Sequence, residues 1–140
     1  MGVATTYRTP EDRTAGVNLG LLQFVKPAMN AEGARAEDLC AGLLRAAGLR
    51  LVERNWRCRH GEIDLIAEAR GMLVFAEVSM RTGPGFGGAA ESVTAAKRSR
   101  LLAAARLYLA RKPETPCRFD VFLVDGATAN VQWIRDAFGE

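Results

Sequence analysis

The spacing of apolar residues predicts two amphipathic helices separated by strands. From Ala34 to about Ala47, apolar side chains recur at steps of three and four residues, which places them on one face of a helix. Gly48 follows as the expected C-terminal cap. A second helix is predicted from the capping residue Thr94 to about Arg111, and its apolar residues also fall on one side.

Shorter runs rich in apolar and β-branched residues, bounded by turn residues, predict the strands. They cover residues 51–58, 62–67, 73–80 and 119–124, with a shorter fifth strand at 131–134. The turns at His60-Gly61 and Arg70-Gly71 are short enough to make the first three strands a meander. The order of helix, three strands, helix and one or two strands then indicates an α/β fold in which a mixed sheet is flanked by helices.

Residues 1–32 differ from the rest of the chain. They contain Thr, Pro, Gly and Asn without a sustained period, and only one short apolar patch. We expect a poorly ordered N-terminal extension here and one folded domain over residues 33–140. Met29 precedes the first predicted helix, which leads to the hypothesis that residues 1–28 are not translated.

Composition narrows the class of protein. With 140 residues, 49% of them hydrophobic and 25% charged, the chain suits a single globular domain with a continuous core. Three widely spaced cysteines favour reduced thiols in a cytoplasmic protein, and no apolar run approaches the roughly 20 residues of a membrane helix. A net charge of +3 permits a polyanionic partner without requiring one.

Two carboxylates on neighbouring strands are the main candidates for chemistry. Asp64 lies in the second predicted strand, and Glu77 interrupts the otherwise apolar third strand. In a simple hairpin register they can converge, and two close carboxylates are costly to bury without a cation such as Mg²⁺. The alternative is that both lie at exposed strand ends and pair with arginines. The candidate partners are Arg57, Arg59 and Arg81.

A basic run at the start of the second helix is the candidate for contact with nucleic acid. Lys97, Arg98 and Arg100 follow the helix N-terminus, where unpaired amides and positive side chains together favour phosphate. Arg81, at the end of the third strand, adds to this charge. The alternative is an ordinary solvated helix surface. The glycine-rich loop 82–88 would let a nucleic-acid backbone approach closely, or it is only a connector.

Several motifs together resemble one known family. The stretch from Asn55-Trp56-Arg57 to Gly61-Glu62-Ile63-Asp64-Leu65-Ile66 is long enough to be specific, and further matching segments extend from about Gly33 to the C-terminus. These segments are Ala36 to Leu39, Glu53 to Ala67, Leu73 to Val78, Phe86-Gly87, Ser92 to Thr94, Lys97, Arg100-Leu101 and Cys117 to Val121. The chain resembles the YraN-type endonuclease-like proteins, which are similar to the PD-(D/E)XK nuclease superfamily and to archaeal Holliday-junction resolvases.

This resemblance implies a restriction-endonuclease-like αβββαβ core and a metal-dependent endonuclease that hydrolyses phosphodiesters in structured DNA. It implies that Asp64 and Glu77 bind Mg²⁺ or Mn²⁺, and that Glu37 on the first helix orients a water bound to the metal. The sequence alone favours a different interpretation of Glu37, as a solvated helix charge beside Asp38.

Position 79 departs from the family pattern. The resemblance implies a lysine there, whose ammonium would help to activate water and offset charge on the phosphate, whereas this chain has Ser79. Lys97 could supply the missing ammonium. Arg81 could not act as a base, because arginine is always protonated. Without a replacement, the protein would be a catalytically inactive DNA- or RNA-binding module, or a scaffold for protein interactions.

Overall fold

A computed structural model describes the backbone of residues 3–8, 31–81 and 93–139, and the side chains of residues 31–80 and 93–139. Its elements are β1 (Val3–Arg8), α1 (Ala31–Ala46), β2 (Arg50–Cys58), β3 (Gly61–Ala69), β4 (Met72–Arg81), α2 (Ala95–Leu109), β5 (Cys117–Asp125) and β6 (Asn130–Phe138). The predicted order of helices and strands is confirmed. The last strand is longer than predicted, because it continues past its apolar run into Arg135 and Asp136.

The strands form one sheet with the order β1-β6-β5-β4-β3-β2. The pair β4–β5 is parallel and the other neighbours are antiparallel. A parallel pair needs a crossover connection, and α2 lies within that connection. The predicted α/β fold with a mixed sheet is therefore confirmed. No helix in the described ranges is both long and apolar enough to cross a membrane.

The N-terminal strand is the main difference from the sequence-based expectation. We expected no regular structure in residues 1–32, yet Val3–Arg8 pairs antiparallel with β6, from Val3 opposite Arg135 to Arg8 opposite Asn130. The segment is short and is followed by Pro10, so its strand composition was too brief to stand out. Residues 9–30, including Met29, lie outside the described residues, as does the glycine-rich loop 82–88 with Phe86.

Each face of the sheet is covered by one helix. Helix α1 packs Ala36, Cys40 and Leu44 against one face, together with residues such as Leu65 and Trp133. Helix α2 covers the opposite face. Its buried residues Leu101, Ala104, Ala105 and Tyr108 pack in one cluster with Ile63, Ile66 and Phe75. Both faces of β3 and β4 are therefore buried, so a charged side chain on either strand lies close to apolar surroundings.

The ends of the helices follow their predicted signals. Gly48 has a φ of +92° just after α1, a conformation that glycine adopts without a steric penalty. Thr94 caps α2, and its side chain accepts a hydrogen bond from the backbone N–H of Lys97 at 3.1 Å. This cap fixes where the first turn of α2 begins, and it therefore fixes the position of the Lys97 backbone.

The sheet opens between β3 and β4 at one end. Their pairing runs from Ala69 opposite Met72 to Leu65 opposite Ala76, and it stops there. Strand β4 stays paired with β5 as far as Arg81 opposite Asp125. Continued by one step, the β3–β4 register places Asp64 opposite Glu77. The two predicted carboxylates therefore lie at the point where the strands separate.

Candidate functional site

Asp64 occupies the opening between the strands. Its Oδ2 accepts a hydrogen bond from the backbone N–H of Val78 at 2.8 Å, so the carboxylate takes the place of a strand partner. Burial and then the charge of Glu77 raise the pKa of Asp64 to about 8, against the opposing effect of the Val78 N–H. The raised pKa indicates that burial and the charge of Glu77 disfavour the ionised form of Asp64 in this site.

Glu37 belongs to the same site and is not a solvated helix charge. It is buried on α1, and its Oε1 accepts a hydrogen bond from Asn55 Nδ2 at 3.1 Å. Arg54 Nη2 lies 3.5 Å from the same oxygen. Burial raises the pKa of Glu37 despite these two partners. The neighbouring Asp38 is the exposed helix charge, and it bonds Arg54 Nη1 at 2.7 Å.

Three carboxylates converge here. One oxygen from each of Glu37, Glu62 and Asp64 lies within 4.8 Å of the other two. Glu62 is not among the site residues predicted from the sequence. The sequence does contain a signal for it, because Glu62 is two residues from Asp64 and residues two apart on a strand face the same side. Glu62 also contacts Arg57, with 3.5 Å between Oε1 and Nε, so part of its charge is balanced.

Glu77 is not in this group of three and has a partner of its own. Lys97 Nζ lies 3.1 Å from Glu77 Oε2, and the Glu77 side chain is only 12% exposed. Lys97 therefore reaches from α2 to β4, and it is not the ordinary exposed helix lysine that was the alternative. Ser79, two residues further along β4, is 8% exposed and buried. Among the side chains that the structure describes, the cation paired with Glu77 thus comes from the helix and not from the strand.

The other predicted basic residues lie on the surface of α2. Arg98 and Arg100 are exposed, and neither has a carboxylate partner within the described part of the chain. Arg100 is close to the β2–β3 turn, because a Cβ added to Gly61 would lie 3.9 Å from Arg100 Cδ. Arg81 ends β4, but its side chain lies outside the described residues. Free positive charge therefore borders the strand that carries Asp64.

The residues present fit a hard divalent cation. The group of three carboxylates offers only acceptor oxygens, and burial together with the charge of Glu77 raises the pKa of its member Asp64, so a cation would favour the ionised form. A buried amide oxygen, Asn55 Oδ1, also lacks a hydrogen-bond partner among the described residues. Carboxylate and amide oxygens are the ligands that Mg²⁺ and Mn²⁺ accept, together with water. The predicted ligand Asp64 belongs to this group, whereas the predicted ligand Glu77 lies outside it and acts on Asp64 through its charge.

Comparison with known sequences agrees with the motifs. The pattern of a family described as "Uncharacterised protein family UPF0102" matches residues 36–124, a span that includes every candidate site residue named above. A UPF0102 protein of Nitrosomonas europaea is 50% identical over 111 residues, which cover 78% of this chain and 94% of the relative. A UPF0102 protein of Dechloromonas aromatica is 51% identical over 108 residues, covering 77% and 88%.

A third similar sequence is a UPF0102 protein of Ralstonia pickettii. It is 50% identical over 120 residues, which cover 81% of this chain and 94% of the relative. The printed names of these relatives state no activity, so they support the family and not a reaction. The chain belongs to the UPF0102 family, which is the YraN-type family that its motifs resemble.

Proposed function

We propose that this protein is a metal-dependent endonuclease that hydrolyses phosphodiester bonds in structured DNA. The observation that carries the proposal is the 3.1 Å contact between Lys97 Nζ and Glu77 Oε2. It places an ammonium beside the candidate carboxylates in a chain that lacks the strand lysine of the family pattern. Carboxylates can bind the metal ion, and a lysine can stabilise negative charge on the phosphate. A metal-dependent hydrolysis of this kind uses both groups.

Asp64 and Glu77 are the proposed ligands of Mg²⁺ or Mn²⁺, with Glu37 and Glu62 completing the negative site. When bound, the metal supplies Lewis-acid stabilisation of the phosphate and a more acidic water. The protein residues hold this arrangement in place. The Val78 N–H fixes Asp64 Oδ2, while Asn55 and Arg54 fix Glu37 Oε1. The carboxylates therefore keep their positions when a cation and substrate enter.

Lys97 has the role of the missing strand lysine in this proposal. Its ammonium balances Glu77 before substrate binds, and it can then donate a hydrogen bond to a phosphate oxygen as negative charge develops there. Its side chain is 39% exposed, so a phosphate can reach it from solvent.

The substrate class follows from the charges around the opening. Arg98 and Arg100 present exposed positive charge on α2, next to the turn that precedes Glu62 and Asp64. Phosphate contacts of this kind position a nucleic acid without reading its sequence. These charges support binding without a preference for sequence, and the preference for structured DNA rests on the resemblance of the chain to endonuclease-like proteins.

A cleavage assay tests the proposal directly. The protein is incubated with branched and single-stranded DNA in Mn²⁺, beside an Asp64→Ala variant purified in the same way. We expect cleavage by the wild type, a loss of at least about 100-fold in Asp64→Ala, and no cleavage when EDTA replaces the metal. Equal rates for wild type and variant would show a contaminating nuclease and would remove the enzymatic proposal.

A second candidate function rests on Ser79. If Lys97 serves only to neutralise Glu77, the protein is a nucleic-acid-binding module that has lost cleavage. That candidate predicts no cleavage with either metal, together with DNA binding that weakens steeply as salt increases. Binding and cleavage measured on the same branched substrate separate the two functions.

A further inference from the structure

Asn55 lies on the edge strand β2 in an uncommon backbone conformation. Its φ of 52° is in the left-handed region, which asparagine tolerates better than most residues other than glycine. The pairs of Arg54 with Leu65 and of Trp56 with Ile63 place Asn55 opposite Asp64 in the β2–β3 register. The backbone at this position therefore favours a short polar residue, immediately beside the candidate metal site.

The amide nitrogen of Asn55 orients Glu37. Nδ2 donates to Glu37 Oε1 at 3.1 Å, and Arg54 contacts the same oxygen. Both contacts fall on Oε1, which leaves Oε2 as the oxygen through which Glu37 can face a cation or its water. A carboxylate held at one oxygen loses less rotamer entropy when its other oxygen engages a ligand.

The amide oxygen of Asn55 is the more informative atom. Oδ1 is buried, and within the described ranges it is the one buried side-chain nitrogen or oxygen that lacks a hydrogen-bond partner. Reversing the amide would set Oδ1 against the carboxylate oxygen of Glu37, so that two acceptors would face each other. A buried carbonyl without a donor is unfavourable, and such atoms usually have a bound water or ion as partner.

We propose that Asn55 is a positioning residue of the metal site. Its Nδ2 fixes the carboxylate of Glu37, and its Oδ1 accepts a hydrogen bond from an ordered water beside the metal. The inference rests on the proposed function, because it needs a cation at Asp64. Asn55 acts through Glu37 and the water, so its removal loosens the metal site without removing a ligand.

Mn²⁺ binding by isothermal titration calorimetry tests this role without any cleavage reaction. The key variant is Asn55→Gly, because glycine accepts a positive φ and removes only the side chain. We expect Mn²⁺ affinity to fall about 10- to 100-fold, as is typical when an outer partner of a metal ligand is lost. Arg70→Gly is the matched control: Arg70 has a φ of 54° in the β3–β4 turn, and its removal should leave Mn²⁺ affinity unchanged.

A double-mutant cycle with Glu37→Gln separates positioning from general structural support. If Asn55 acts through Glu37, Asn55→Gly has little further effect on Mn²⁺ affinity in the Glu37→Gln background. Asn55→Ser repeats the test if the glycine variant is poorly folded, since a serine hydroxyl cannot span the contact with Glu37. Unchanged affinity in the single variant, or fully additive losses in the cycle, would overturn the inference.

The same titrations keep this inference separate from the proposed function. A wild-type protein that binds no Mn²⁺ removes the metal site itself, and the inference with it. A wild-type protein that binds Mn²⁺, loses it in Asp64→Ala and keeps it in Asn55→Gly contradicts only the role of Asn55.

Discussion

Lys97 on α2 and Glu77 on β4 form an ion pair of 3.1 Å across the face of the sheet that α2 covers. The pair joins an element that carries the basic surface to the strand that carries a candidate metal ligand. The backbone N–H of Lys97 is bound to Thr94, so the residue is fixed at its backbone and engaged at its ammonium. Lys97 therefore differs from a lysine whose side chain extends freely into solvent, because its ammonium is paired with Glu77.

Replacement of Lys97 should lower cleavage sharply. We expect Lys97→Ala to reduce the single-turnover rate by about 100-fold, the typical loss when one group that stabilises charge in the transition state is removed. Lys97→Arg keeps a positive charge beside Glu77 but not the compact ammonium, so it distinguishes the effect of charge alone from the geometry of the lysine. A rate unaffected by either change would assign Lys97 to structure alone.

The strand position should be able to take over from the helix position. Ser79 and Glu77 are two residues apart on β4 and share a side, so a lysine at 79 can reach the same carboxylate. We expect Ser79→Lys to restore at least one tenth of the lost activity to Lys97→Ala, on the order of 10-fold. Ser99→Lys, which adds a lysine to the exposed surface of α2, is the matched control and should restore none. Equal recovery by both would indicate nonspecific attraction of DNA.

The buried charge of Asp64 should make the metal-free protein less stable as pH rises. Its pKa is raised from 3.8 when unfolded to about 8 when folded, so the folded state holds a proton that the unfolded state releases between those values. Stability is then lost as pH increases through this range. Asp64→Asn removes the titration while its amide oxygen can still accept from Val78.

We expect the advantage of Asp64→Asn in unfolding free energy to grow by about 3–4 kcal/mol between about pH 5 and about pH 8, in EDTA. Urea denaturation at several pH values measures it. Mn²⁺ should then stabilise the wild type and not the variant, because only the wild type binds it tightly. If the unfolding free energies of the two proteins changed with pH in parallel, the pKa of Asp64 would not be raised in the folded state.

Two arginines on α2 should contribute to DNA binding through charge alone. We expect Arg98→Ala and Arg100→Ala each to weaken binding of every DNA tested and to reduce the slope of log affinity against log salt by about 1. Arg111→Ala, just beyond the other end of α2, removes an exposed arginine away from the opening and should leave the slope unchanged. An equal effect of all three would assign binding to net charge and not to this surface.

The order of elements was readable from the chain because periodicity is local. Steps of three and four in α1 and alternation around Glu77 each lie within one element, and short turns such as Arg70-Gly71 join neighbours. The site was only partly readable. Asp64 and Glu77 could be identified as charged residues in apolar strands, whereas Glu37 was identified as a site residue only through the resemblance to a known family.

The remaining site residues depend on contacts that no local pattern encodes. Lys97 and Glu77 are 20 positions apart and meet only after α2 has packed on the sheet. Asn55 is distinguished by a positive φ and by the burial of one oxygen, and neither shows in its neighbours along the chain. Such features require the folded structure.

Asp120 should be essential to stability and not to chemistry. It is 1% exposed on β5 and accepts hydrogen bonds from Trp133 Nε1 and the Asp136 backbone, each at 2.9 Å. Arg118 completes the set, with Nε 3.0 Å from Oδ1. Asp120→Ala leaves these donors without an acceptor, and we expect a loss of about 3–5 kcal/mol in unfolding free energy, measured in urea. Glu114→Ala, at an exposed position, should change stability by less than about 0.5 kcal/mol. If Asp120→Ala instead folds normally and loses Mn²⁺ binding, then this carboxylate belongs to the metal site and not to the sheet.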